Sequence, residues 1–181
     1  MDSLSDNRLM LQVKAGEVDQ LGLLFERYHR LLFSFFYKLN QNVEVSEDLV
    51  QNVFMRILKY RHRFQGNGEF KTWMFHIAKN VNIDYHKKHR RYRAEDVDQW
   101  QDKLLDESRS QNQEMIKQEE LNQLRTALQK LDPEKREVLI LSKLQGLKYK
   151  EIANLLGCTE GAVKVKVFRA LKELKKVFEK M

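Results

Sequence analysis

Only one proline, Pro133, and seven glycines interrupt 181 residues, and this scarcity of chain breakers constrains the fold more than any other feature. Proline and glycine are the residues that end helices and build tight turns. A chain so poor in both suits long helices with few tight turns, and an all-α fold is expected.

Apolar spacing places the helices. One is expected over Asp6–Ala15, stopped by Gly16, and a second over Val18–Leu39. The second is apolar almost all round (Leu21, Leu23, Leu24, Phe25, Leu31, Leu32, Phe33, Phe35, Phe36), as befits a central buried element. A third runs to about Lys59, with Ser46 as N-cap and Glu47 and Asp48 in its first turn, where the helix dipole favours acids. Its core stripe is Leu49, Val50, Val53, Phe54, Ile57 and Leu58. The loop FQGNGEF (Phe64–Phe70) leads into a long helix to about Arg91. Residues 94–118, rich in Asp, Glu, Gln and Ser, lack sustained periodicity and read as a flexible acidic linker. Beyond it Leu121, Leu124, Leu128 and Leu131 share a face, and Asp132-Pro133 opens a helix to about Leu144. Two more follow, over Tyr149–Leu156 and Glu160–Glu179, with Gly157 closing the first and Thr159 capping the second. Two small helical domains, 1–93 and 119–181, are therefore expected.

Charge is segregated along this plan. Residues 59–93 hold ten basic against two acidic groups, and residues 120–181 hold fourteen against eight. Between them, residues 94–119 hold three basic against eight acidic. Two basic blocks around an acidic spacer suit a polyanion touched in two places, although solvated helix faces give similar patterns.

The stretch AVKVKVF (Ala162–Phe168) alternates like a strand inside an otherwise helical segment. At 100° per residue, Val163, Val167, Ala170, Leu171 and Leu174 form one stripe, enough for a core face. Val165, Phe168, Arg169, Lys172 and Lys176 fall opposite, flanked by Lys164 and Lys166. Apolar side chains exposed among cations suit a major groove lined with phosphates and thymine methyls. The competing reading packs Phe168 on a neighbouring helix. Two helices joined by a short glycine-containing turn have the helix-turn-helix geometry.

The run LDPEKREVLIL (131–141) with GLKYKEIANLLGCTEGAVKVKVFRAL (146–171) resembles region 4 of bacterial sigma factors, in particular the extracytoplasmic-function (ECF) branch. SEDLVQNVF (46–54) and FKTWMFHIAKNVNIDY (70–85) are similar to the region 2 motifs of that branch. The resemblance implies a sigma subunit that binds core RNA polymerase and directs promoter-specific initiation. On this basis domain 1–93 would bind polymerase and read and melt the minus-ten element, and domain 119–181 would read the minus-thirty-five element. Lys79, Asn80, Ile83, Asp84, Lys87, Arg90 and Arg91 match the minus-ten positions. Lys79, Ile83, Lys87 and Arg90 share a helix face with Thr72, His76 and His86, with Asn80 on its border, opposite a core stripe of Phe70, Trp73, Met74, Ile77, Ala78, Val81 and Tyr85. The minus-thirty-five set is Tyr149, Lys150, Lys164, Val165, Phe168, Arg169 and Lys172, with Lys172 either a phosphate contact or a solvated lysine. Asp48, Gln51, Asn52, Met55 and Arg56 would form the polymerase-binding strip. An anti-sigma partner that covers these surfaces is implied as well. Ala162 and Val165 replace the family's common Thr and Ser, and Lys148 stands where Ser or Thr often caps the third helix of region 4.

Other chemistry finds little support. Among His86, Lys87, Lys88 and His89 the nearby cations repel a metal ion, so no metal or cofactor is expected. Cys158 alone gives no disulfide framework and fits a cytoplasmic setting. No phosphate loop, nucleophile elbow or paired catalytic carboxylates stand out, so an enzyme is not expected. The longest apolar run, LLFSFFY, is too short to cross a bilayer, and MDSLSDNRLM lacks the pattern of a secretory leader. The alternatives are a polymerase-independent helix-turn-helix regulator or a helical adaptor for acidic proteins. The regulator would need a dimerisation helix, which is not evident, so the free chain is expected to be a monomer.

Overall fold

The computed structural model describes residues 5–95 and 112–180, and its regular structure among them is helical throughout. The helices are α1 (Asp6–Ala15), α2 (Gln20–Asn40), α3 (Val43–Lys59), α4 (Phe70–Glu95), α5 (Asn112–Gln129), α6 (Pro133–Leu139), α7 (Tyr149–Leu156) and α8 (Glu160–Phe178). A 3-10 turn at Arg61–Arg63 follows α3, and α6 runs on into a π-helical turn, Ile140–Leu144.

α1 to α4 enclose the larger part of the core. α1 is fixed at both ends, by Ser5 accepting from Arg8 N–H and by Gly16 in the left-handed region at φ 113°. Leu24, Leu32, Phe35 and Phe36 of α2 meet Val53 and Ile57 of α3 and Phe70, Met74, Phe75 and Ala78 of α4. Phe35 stands edge-on to Phe75 with centroids 5.3 Å apart, an arrangement that adds to area burial. The Asn7 carboxamide ties the glycine loop to α1, donating to Gly68 O at 2.9 Å and accepting from Phe70 N–H at 2.7 Å.

Several sequence expectations change. α2 is not buried all round: Leu23 and Phe25 are exposed, Phe25 although its ring stands edge-on to Phe54 of α3. α3 starts three residues before Ser46. Its cap is Asn42, which accepts from Val45 N–H at 2.9 Å, while the buried Ser46 hydroxyl donates back to Asn42 O. Phe75, absent from the expected stripe of α4, is fully buried against α2. α5 begins at Asn112, inside the segment read as linker, and residues 96–111 of that segment lie outside the described residues.

In the C-terminal half Asp132 caps α6 by accepting from Glu134 N–H, with Pro133 at the first turn. Gly157, at φ 64°, ends α7, and the Thr159 hydroxyl accepts from Ala162 N–H at 3.2 Å to start α8. Only Gly157-Cys158-Thr159 separates the two helices, as the helix-turn-helix reading requires. The Lys148 side chain makes no cap hydrogen bond; instead the Glu151 carboxylate accepts from Lys148 N–H at 2.6 Å, which supplies half of a capping box. The buried residues of both halves form one cluster.

Candidate nucleic-acid interface

α8 turns one side inward and leaves the other in solvent. Val163, Val167 and Ala170 are buried against α6 and α7, and Leu174 packs beside them. Opposite, Phe168 is 68% exposed and Val165 48%, with Lys164, Lys166, Arg169 and Lys172 exposed around them. The rival placement of Phe168 on a neighbouring helix is therefore excluded. Leu171, expected in the core stripe, is 39% exposed, whereas Leu174 and Val177 further along α8 pack against the core. Glu160 pairs with Lys164 at 3.3 Å and Glu134 with Lys166 at 3.5 Å, so these cations are partly restrained while the two apolar side chains stand free of cover. Lys150 is exposed at the start of α7, and Tyr149 beside it is half-buried against the core.

α4 carries the second ridge. Asn80, Ile83, Asp84, His86, Lys87 and Arg90 are exposed on it; the Arg91 side chain lies outside the described residues. Nearer the start of the helix the expected face is not open. Thr72, His76 and Lys79 are half-buried where α4 meets α7. Trp73 is half-buried too, its ring 5.2 Å from that of Phe64, a structural placement. Burial and then the Lys79 charge hold His76 below the ordinary histidine range. His86, though open to solvent on one side, is also held down, by partial desolvation of its ring and then by His89, Arg90 and Arg136. Burial raises the Glu137 carboxyl above the usual carboxylate range, against the opposing pull of Lys79.

The α3 strip presents Asp48, Gln51, Asn52 and Met55 to solvent, Met55 at 71%. Arg56 is less free: its guanidinium donates to Asn52 Oδ1 at 2.9 Å and pairs with Asp84 of α4 at 2.8 Å. That pair ties the strip to the α4 ridge, a link that the sequence pattern did not signal. An apolar groove lined by Phe25, Phe33 and Val50 runs beside Gln51. Among the described residues no group of three His, Cys, Asp or Glu side chains could hold a metal ion, and no helix is long and apolar enough to cross a membrane.

Two known families match separate stretches of the chain. The family described as Sigma-70 region 2 matches residues 24–92, and that described as Sigma-70, region 4 matches residues 121–174. The chain is 31% identical over 160 residues to the ECF RNA polymerase sigma factor SigX of Bacillus subtilis (strain 168), covering 87% of this chain and 82% of that protein. It is 34% identical over 144 residues to the ECF RNA polymerase sigma factor EcfG of Rhodopseudomonas palustris (strain TIE-1), covering 79% and 76%. The fold is similar to that of CnrH in complex with the cytosolic domain of CnrY, with TM-score 0.73 and 23% identity over 96% of this chain and 97% of that one. It is also similar to the sigma factor RpoE in complex with the anti-sigma factor NepR from Bartonella quintana, with TM-score 0.72 and 23% identity over 87% and 96%.

Proposed function

As a member of the ECF branch of the sigma-70 family, the chain is a sigma subunit that directs promoter-specific transcription, and we propose that it divides this task between three surfaces. The α8 ridge reads the minus-thirty-five element: Val165 and Phe168 contact base edges and thymine methyls, while Lys164, Arg169, Lys172, Lys150 and Tyr149 meet the backbone or neighbouring bases. The α4 ridge (Lys79, Asn80, Ile83, Asp84, Lys87, Arg90 and Arg91) addresses the minus-ten element and favours its opened form. Asp48, Gln51, Asn52, Met55 and Arg56 on α3 grip core RNA polymerase. Domains 1–93 and 119–181 are the corresponding functional units.

One observation carries this reading: a fully formed amphipathic helix, α8, leaves a large aromatic ring 68% exposed in the middle of a cationic ridge. Water is a poor partner for that ring, and a groove floor is a good one. Sigma factors are initiation factors, and the chain's contribution is differential binding to opened promoter DNA, with no bond made or broken by its own side chains. The work is done in the cytoplasm, where polymerase and promoter are found. Since each half offers a small surface, the free chain, a monomer, binds DNA weakly and gains affinity through linkage on the polymerase. An anti-sigma factor is a further partner, as the likeness to a sigma factor held by NepR supports. The regulator and adaptor alternatives are not favoured, since the family match spans both halves.

In vitro transcription with purified core enzyme tests the proposal. Start sites that appear only with this chain, and shift when either upstream element is changed, are expected. Initiation unaltered by the chain would overturn it.

A further inference from the structure

One acid interrupts the cationic ridge of α4. From Lys71 to Arg93 the helix carries seven Lys and Arg side chains and a single carboxylate, Asp84. Asp84 is exposed in the middle of the ridge, one turn after the exposed Asn80 and one turn before the exposed Lys87. A bare carboxylate at that position would repel the DNA backbone that the neighbouring lysines attract.

A counter-charge reaches it from another helix. Arg56 of α3 places Nη1 2.8 Å from Asp84 Oδ2. The same guanidinium is fixed within its own helix, where Nε donates to Asn52 Oδ1 at 2.9 Å. Asn52 lies one turn earlier on α3 and carries no charge, so it orients the guanidinium without drawing it away from Asp84. The Arg56 side chain is 30% exposed, whereas that of Asp84 keeps 54% of its surface in solvent. The acid is thus held and offset by Arg56 while more than half of it stays open.

Stability alone does not account for this placement. Exposed ion pairs contribute little to it, and a carboxylate weakens the attraction of the ridge for phosphate. An ionised carboxylate is an acceptor without a donor, which tells an exocyclic amino group from a carbonyl oxygen. Among the bases, adenine is matched best by an amide and the amino group of cytosine by a carboxylate.

We propose that Asp84 accepts from N4 of a cytosine in the minus-ten element, and that Arg56, held by Asn52, is the positioning residue that aims this carboxylate and offsets its charge. This rests on the assignment of α4 as the ridge that addresses the minus-ten element. It gives Arg56 a task beyond the polymerase strip, and it lets an acid approach DNA without the full cost of repulsion.

The test uses the full chain with core enzyme and a promoter library randomised over the minus-ten element. Promoter DNA retained by the holoenzyme is recovered and sequenced, and base frequencies are normalised within each variant, so that a change in polymerase capture cancels. The unaltered chain should favour cytosine at one position, and Asp84→Ala should lower that preference about tenfold. Arg56→Gln should lower it too, and Arg56→Lys should restore most of it because the charge returns. In a chain already carrying Asp84→Ala, Arg56→Gln should change the selection no further, as for two residues acting as one unit. No cytosine preference in the unaltered chain, or the same preference after Asp84→Ala, overturns the base reading. An Arg56→Gln effect that is absent, or that persists alongside Asp84→Ala, overturns the positioning role. The ridge assignment is judged separately, by the amount of DNA retained and its salt dependence. If Lys87→Ala with Arg90→Ala leaves both unchanged, that assignment falls and the proposal with it; if they drop while Asp84→Ala alters no preference, the ridge stands and the proposal alone is lost.

Discussion

At the scale of single residues, Phe168 separates recognition from stability. A phenylalanine 68% exposed contributes little packing, so truncation should leave the fold intact. Phe168→Ala is expected to weaken binding of the upstream element by about 1–3 kcal/mol, the usual range for one base contact. Band-shift titration of the holoenzyme, paired with a thermal melt, checks both halves of this expectation, and a marked fall in melting temperature would contradict it. The exposure of Val165 and Phe168 was legible in the sequence because the helical wheel of α8 has an unambiguous inner stripe. Ser46 was misread because serine and asparagine cap equally well, and only the backbone path decided for Asn42. Phe75 was missed because it lies away from the stripe defined by Phe70, Met74 and Ala78, on a side of α4 that α2 also covers.

At the scale of elements, each helix can be tested through the feature that fixes it. Thr159 satisfies one of the free N–H groups at the start of α8, and Thr159→Ala should lower stability by about 1 kcal/mol. A chemical denaturation curve should show an earlier midpoint at unchanged slope. On α3, replacing the exposed Asp48 and Gln51 by lysine should abolish capture by core polymerase without altering helix content; unchanged capture would refute the strip assignment. α4 carries His76 and His86, both held below the ordinary histidine value of 6.5 by desolvation and by neighbouring cations. The unfolded chain therefore binds protons on these rings more readily than the folded one, so stability is full above that value and declines as the pH falls through 6.5. Glu137 acts in the opposite sense: its raised folded value favours the folded state at low pH, and this contribution is lost as pH rises above 4.5. Melting temperatures followed downward from neutral pH should fall, and the fall should shrink in a His76→Gln, His86→Gln chain.

At the scale of the whole molecule, the all-helical fold was legible because it depends on side-chain periodicity and on the scarcity of chain breakers. The contact between the two halves was not, for a physical reason: among the described residues Lys71, Lys79, Gln129 and Arg136 cross it to backbone carbonyls at helix ends, which every sequence possesses and no side-chain pattern encodes. The sequence did place cations on α4, but it could not distinguish a lysine facing phosphate from one facing a helix end. How the two ridges cooperate on DNA can be decided by a thermodynamic cycle. Phe168 and Lys87 lie on different halves, in the regions matched to the region 4 and region 2 families respectively. If both ridges engage one promoter at once in the polymerase complex, the free-energy losses of Phe168→Ala and Lys87→Ala should add to within about 0.5 kcal/mol, as for independent sites. If the ridges are used in alternation, the double variant should be no worse than the poorer single one. Lys87→Ala alone should also reduce the salt slope of binding by about one, while Phe168→Ala leaves it unchanged, since only the former removes a phosphate contact. Equal salt slopes in all three variants would show that α4 makes no phosphate contact through Lys87 and would leave its share of the electrostatic part to the other cations of the two ridges.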